Sequence, residues 1–216
     1  MLMLNVTAPD ILEFIISKMQ NPNILRFLIN NTEDEEIKRL AKDKLKFTPL
    51  SEVERTIFQG IINLKDHPGQ GGFTEQAIAE AEKKLADGGI YGVHRPEFLS
   101  GANISVCITK EFMDAVENDD DFPLQFPDVE SYSKDEMAFY NEKWHEVGDV
   151  REWAKMGMKV KTYRYVKARE LWDLINVCAT YSAEPGIFFV DNANEMTNAK
   201  AYGQKVVATN PCGKVA

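Results

Sequence analysis

Short apolar runs that end on a helix cap recur along this 216-residue chain. Met1-Leu2-Met3-Leu4-Asn5-Val6 precedes Thr7-Ala8-Pro9-Asp10, which combines a Thr cap, an early Pro and an acid at the third helical position. Ile104 to Ile108 runs into Thr109, and Ile187-Phe188-Phe189-Val190 ends at Asp191. A strand buried on both faces is apolar throughout, and it reaches a parallel neighbour only through a crossover, usually a helix. Strand and helix in alternation therefore read as parallel α/β architecture.

The helices between the runs carry their own signals. Ile11, Leu12, Ile15 and Met19 make the apolar stripe of the first. From about Asn21 to Ser100 the pattern is helical, with S/T-x-x-E capping boxes at Thr32-Glu33-Asp34-Glu35 and Ser51-Glu52-Val53-Glu54. Thr74 caps a further helix that runs to about Asp87, where Gly88-Gly89 stops it. This block reads as a helical insertion outside the sheet. Thr109 caps a helix to about Glu117, and Ser133-Lys134-Asp135-Glu136 opens another to about His145. Val160 to Val166 is β-prone, and Ala168 to Tyr181 sets Leu171, Leu174, Ile175 and Cys178 on one helix face. Val206 to Thr209 is expected to be a last strand, leading into Asn210-Pro211-Cys212-Gly213.

Charge and cysteine usage narrow the function. Lys plus Arg is 25 and Asp plus Glu is 34, a net charge of −9. That balance argues against a broad nucleic-acid surface, which needs clustered cations. No apolar run reaches the roughly 18 residues of a membrane span, and Met1 to Val6 lacks the basic region and cleavage site of a secretory signal. Three widely spaced cysteines, Cys107, Cys178 and Cys212, make neither a disulfide framework nor a zinc site. Free thiols point to the reducing cytoplasm.

Most chemical motifs fail on context. Gly69-Gln70-Gly71-Gly72 follows a helix and lacks the Lys-Ser/Thr of a phosphate loop, so it reads as a flexible loop. Asp119, Asp120 and Asp121 lack the spacing of a calcium loop and read as a solvated helix end. His67, His94 and His145 stand far apart, so no metal site is expected. Trp144, Trp153 and Tyr163 have no basic track beside them and read as packing residues. Cys107 and Cys178 fall at buried positions. Cys212 differs: it follows a β-run on a loop bent by Asn210-Pro211 and opened by Gly213, where nucleophilic or radical chemistry is placed.

Ala208-Thr209-Asn210-Pro211-Cys212-Gly213 resembles the finger-loop signature of the catalytic subunit of ribonucleotide reductases. Leu4-Asn5-Val6-Thr7-Ala8-Pro9-Asp10-Ile11-Leu12-Glu13-Phe14-Ile15 resembles the family's strand-to-helix segment. Asn103-Ile104-Ser105-Val106-Cys107-Ile108-Thr109-Lys110-Glu111-Phe112-Met113-Asp114-Ala115-Val116, with Lys167-Ala168-Arg169-Glu170-Leu171-Trp172 and Glu184-Pro185-Gly186-Ile187-Phe188-Phe189, is similar to the adenosylcobalamin-dependent class. The resemblance implies an α/β fold: part of a ten-stranded reductase-type barrel, an incomplete half-barrel with a helical insertion. Residues 1–20 would supply a barrel strand and helix, 21–100 the insertion, and 101–216 further barrel elements ending in the finger loop.

It also implies reduction of ribonucleotides to deoxyribonucleotides by a thiyl radical on Cys212, with Asn210, Pro211 and Gly213 at the substrate and adenosylcobalamin as cofactor. The family's glutamate after Asn-Pro-Cys-Gly is Lys214 here. An ammonium cannot accept the proton a carboxylate would. The family's second half-barrel, redox cysteine pair and specificity loop have no counterpart in these residues. The expected partners are thus a ribonucleotide and the remaining reductase chain or chains, and the isolated chain is expected to be inactive. The alternative is a non-catalytic remnant whose helical block binds a partner.

Overall fold

The computed structural model describes residues 1–64, 74–95, 99 and 101–210. Its centre is a parallel sheet of β1 (Leu2–Asn5), β4 (Ile104–Ile108) and β7 (Gly186–Phe189), in the order β1-β4-β7. The register pairs Leu4 with Val106 and Asn5 with Cys107, then Val106 with Ile187 and Cys107 with Phe188. Because side chains alternate along a strand, this register sorts the sheet into two faces. Leu4, Val106, Ile108 and Ile187 point one way and join the main core. Met3, Asn5, Ser105, Cys107 and Phe188 share the other.

The core face is covered by α1 (Ile11–Ile16), α6 (Lys110–Asn118) and α9 (Ala168–Ser182). Ile11, Ile15, Phe112, Leu171, Leu174 and Ile175 are all buried there. The fold is mixed α/β, with helices on one face of a parallel sheet. Among the described residues no barrel closes, and the ten strands of the expected barrel are not reached.

Helices α2 (Pro22–Asn31) and α3 (Glu35–Lys44) extend the core through Ile24, Leu25, Leu28, Ile37 and Ala41. The block is not purely helical. β2 (Leu45–Pro49) and β3 (Gly89–Val93) pair as an antiparallel ribbon on either side of α4 (Glu52–Asn63) and α5 (Glu75–Asp87). These β-prone segments are too short to stand out against the helical pattern around them. A second ribbon joins β5 (Asp121–Pro127) to β6 (Val160–Lys167), with a register shift at Leu124/Gln125. Pro123 and Pro127 hide β5 in the sequence; a two-stranded ribbon accepts them because one edge needs no donor. Helices α7 (Lys134–Val147) and α8 (Val150–Lys155) pack beside it, Trp153 fully buried against Phe139, Tyr140 and Trp144. Tyr163 is exposed on β6, under the Lys161 ammonium, and does not pack as expected.

Caps were partly as expected. Ser51 and Ser133 form complete capping boxes with Glu54 and Glu136, and Thr74 and Thr109 cap α5 and α6. Gly88 ends α5 with φ +70. Two expectations fail. Asp34, not Thr32, caps α3, because its carboxylate reaches the amides of Glu36 and Ile37. Thr7 caps nothing; its amide and hydroxyl both donate to Asn5 Oδ1, and α1 begins only at Ile11. The acidic run divides, Asp119 ending α6 in the left-handed region and Asp121 opening β5.

Candidate functional site

On the sheet face that carries Met3, Asn5, Ser105 and Cys107, the end of α7, the start of the helix after β7 and the chain's last described stretch line a cavity with Met3, Asn5 and Cys107. After β7 the chain turns into α10 (Val190–Met196), then a single 3₁₀ turn at Asn198–Tyr202 that ends on Gly203 with φ +72. Gln204–Asn210 runs back toward the sheet. The expected strand at Val206–Thr209 is absent, since this arm is held by side chains and makes no ladder. Asn194 Oδ1 accepts from the Val206 amide at 2.8 Å, and Asn194 Nδ2 donates to the Val206 carbonyl at 2.8 Å and to the Val190 carbonyl at 3.0 Å. Further along, the Thr209 amide donates to Met3 Sδ at 3.3 Å. Asn210 is the last described residue and is exposed. Pro211, Cys212, Gly213 and Lys214 lie outside the described residues, as do His67 and Gly69 to Gly72.

Below the arm sits an ionic cluster that sequence reading missed. Arg151, in the first turn of α8, donates from Nη1 and Nη2 to both oxygens of Asp191 at 2.8 Å. Its Nε and Nη2 also reach Asp149 at 3.1 and 2.8 Å. Asp149 is 7% exposed, caps α8 through the Arg151 amide, and has Lys205 of the arm at 3.8 Å. Asp191 accepts in addition from the Lys110 amide at 2.8 Å, which ties α10 to the start of α6. Burial pushes the Asp149 carboxyl up, but Arg151 outweighs it and holds the group below its ordinary value. Arg151 likewise holds Asp191 low, and the two carboxylates raise the guanidinium. Local signals existed for Asp149 as a cap and for Asp191 at a strand end. Their meeting through Arg151 spans 40 residues and leaves no trace in spacing.

Two cavities flank the arm. The smaller, about 160 Å³, lies between Met3, Asn5, Cys107, Val190 and Val206. The larger, about 890 Å³, opens among Lys110, Glu111, Asp114, Lys155 and Lys200. Neither suits a corrin: the first is below the roughly 300–1,000 Å³ of small-molecule sites, and the second is walled by charged side chains. Cys107 sits on the arm-bearing face with its thiol pushed up to about 11 by burial. Cys178 lies in the helical core, pushed up to about 12 by burial. Neither is poised as a nucleophile. His94 and His145 are exposed; His145, at the end of α7, lines the smaller cavity together with Val206. Among the described residues no helix is long and apolar enough to cross a membrane.

The geometry alone shows mixed α/β architecture, a parallel sheet that receives a returning arm, and comparison with known families places it. The family model of the ribonucleotide reductase barrel domain matches residues 1–216. The chain belongs to the ribonucleotide reductase family. Among curated proteins it is similar to the vitamin B12-dependent ribonucleoside-diphosphate reductase of Thermoplasma acidophilum, 31% identical over 116 residues. That stretch is 54% of this chain and 11% of the relative, so the chain matches about a tenth of the relative's length.

Proposed function

We propose that this chain is a barrel segment of a cobalamin-dependent ribonucleotide reductase and that it does not turn over substrate alone. The observation that carries the reading is the arm. Clamped at Val206 by Asn194 and at Thr209 by Met3, it returns to the sheet with Asn210 leading into Cys212. Residues 1–20 and 101–216 form the barrel part, and 21–100 the insertion. A thiyl radical must be kept from water and side reactions, and a loop inside a barrel is so kept. Cys212 is the reacting residue. Once an initiator has removed its thiol hydrogen, the sulfur takes the 3′-hydrogen of the ribose: the C3′–H bond breaks, S–H forms, and the unpaired electron moves to C3′. Asn210 hydrogen-bonds the ribose, with Pro211 and Gly213 shaping the approach. The Thermoplasma relative's name gives dependence on vitamin B12, and adenosylcobalamin is the form of it that the resemblance implies. The described residues offer it no pocket, and no step above passes through it.

Two features support inactivity in isolation. Both outer strands of the parallel sheet, β1 and β7, lack a second neighbour among the described residues. Parallel sheets are stable when flanked and covered. Lys214 cannot serve as the base at the 3′-hydroxyl. The test is deoxynucleotide formation from ribonucleoside di- and triphosphates with adenosylcobalamin and a dithiol. None is expected from the chain alone, and a Cys212-dependent product would overturn the reading. A second reading, a partner-binding remnant, is favoured by α4, where Val53 is 68% and Ile57 is 53% exposed on one stripe. Reconstitution with the remaining reductase chain separates the two, because only a split enzyme then yields Cys212-dependent product.

A further inference from the structure

We infer that Asn194 is a positioning residue that sets the register of the arm on the sheet. The inference rests on the reading of that arm as the carrier of Cys212. Asn194 stands one turn into α10, and its amide uses three of its four hydrogen-bonding positions. The carbonyl oxygen takes the Val206 amide, and the nitrogen serves both the Val206 and the Val190 carbonyls. Bonding both polar atoms of one backbone residue copies what a neighbouring strand would do at a ladder pair. It does so where no strand is present, so the arm is fixed at one residue and kept from sliding. A shift of one residue would put Lys205 or Val207 in that clamp. Val206 would then leave the buried position it now holds, and Val207, 60% exposed, would enter it.

The helix that carries the clamp is itself fixed. Asp191, three residues earlier, is bound to the Arg151 guanidinium and the Lys110 amide, and Lys205, next to Val206, faces Asp149. The placement of the described residues after Val206, 207–210, is thus referred, through one side-chain amide, to the ends of α6 and α8. Thr209 then meets Met3 as a second, weaker point, since a thioether is a poor acceptor.

The test compares Asn194→Leu and Asn194→Asp with the parent chain by amide hydrogen exchange and by alkylation of Cys212. Leucine keeps the size and removes every bond. Aspartate keeps the acceptor for the Val206 amide but turns an oxygen toward the two carbonyls. In N194L, exchange at Val206 and Thr209 should rise about ten-fold or more and the alkylation rate of Cys212 should change at least several-fold. The amides of Val106 and Ile108 should stay as protected as in the parent. N194D should fall between parent and N194L. Unchanged Val206 exchange in either variant, or an unchanged Cys212 rate once Val206 is released, overturns the inference. If N194L also loosens β4, N194D alone decides on the same criteria. Neither readout needs turnover, so failure of the reductase reading would appear in the product assay and failure of this one in exchange and alkylation.

Discussion

Replacing Arg151 with methionine tests the ionic cluster beneath the arm. The change keeps much of the stem's bulk and removes four hydrogen bonds to Asp149 and Asp191. Breaking a buried ion pair from one side costs about 3–5 kcal/mol, because a charge is left buried without its partner. The Arg151 and Asp191 side chains are 24% and 22% exposed, and Lys205 stands by Asp149. Both soften the loss, so the lower end applies, about 3 kcal/mol. For a chain of this length each kcal/mol moves the midpoint by roughly 2–4 °C, so the melting temperature should fall by about 6–12 °C. The pH dependence fixes the cause. Asp149 and Asp191 titrate below their ordinary value in the parent. Their contribution is therefore present above the unfolded carboxylate value of about 3.9 and is lost as pH falls through the lower folded values. In R151M the buried Asp149 loses the guanidinium that outweighs its desolvation and keeps only the residue-151 amide and Lys205 against it, so its carboxyl rises relative to the parent and neutralisation relieves the variant at a higher pH. Melts followed by circular dichroism should show the gap widest near pH 7 and narrower near pH 4.5. A gap below about 1 kcal/mol at pH 7, or one equal at both pH values, would refute the charge argument.

Other expectations follow from other parts of the fold. With Leu2 and Phe189 exposed at the outer strands, the purified chain should elute from size exclusion as an oligomer or a partner complex; a monodisperse monomer with one cooperative melt would count against the incomplete sheet. Cys107 and Cys178, with thiols pushed up to about 11 and about 12, should resist alkylation at pH 8 in the native chain and react fully in denaturant. Rapid native labelling of either would show that the sheet or the helical core opens. Gly89→Ala should cost about 1–3 kcal/mol in a urea titration. A Cβ there would lie 2.3 Å from the Phe47 ring and 2.7 Å from the Thr48 carbonyl, so a neutral result would mean that the β2–β3 ribbon yields.

The parallel strands were legible because each is a short apolar run; of the helices that follow them only α6 has its side-chain cap, Thr109, while α1 and α10 have none. What depended on distant partners was not legible. β5 contains two prolines, and only its pairing with β6 makes it a strand. Thr32 and Asp34 both offer an oxygen at a helix start; tertiary placement of Thr32 at the end of α2, its hydroxyl toward Glu170, left the cap to Asp34. Val206–Thr209 has strand-forming residues, yet Asn194 takes the backbone bonds that a strand would make. Of the candidate site, sequence marked Asn210 and Cys212 through a motif. The side chains that hold the approach to them, Asn194, Arg151 and Met3, belong to no motif and became visible only in three dimensions.

The bond from the Thr209 amide to Met3 Sδ joins positions 206 residues apart. A contact of such separation costs more closure entropy than a local one, and nothing nearby in sequence offsets it. Helices α2 to α5 can assemble from local contacts, whereas this junction requires β4, β7 and α10 to be in place already. The environment of a single thioether therefore reports whether the arm is docked on the sheet. A methyl-labelled Met3 would distinguish a completed chain from one with native helices and an undocked arm.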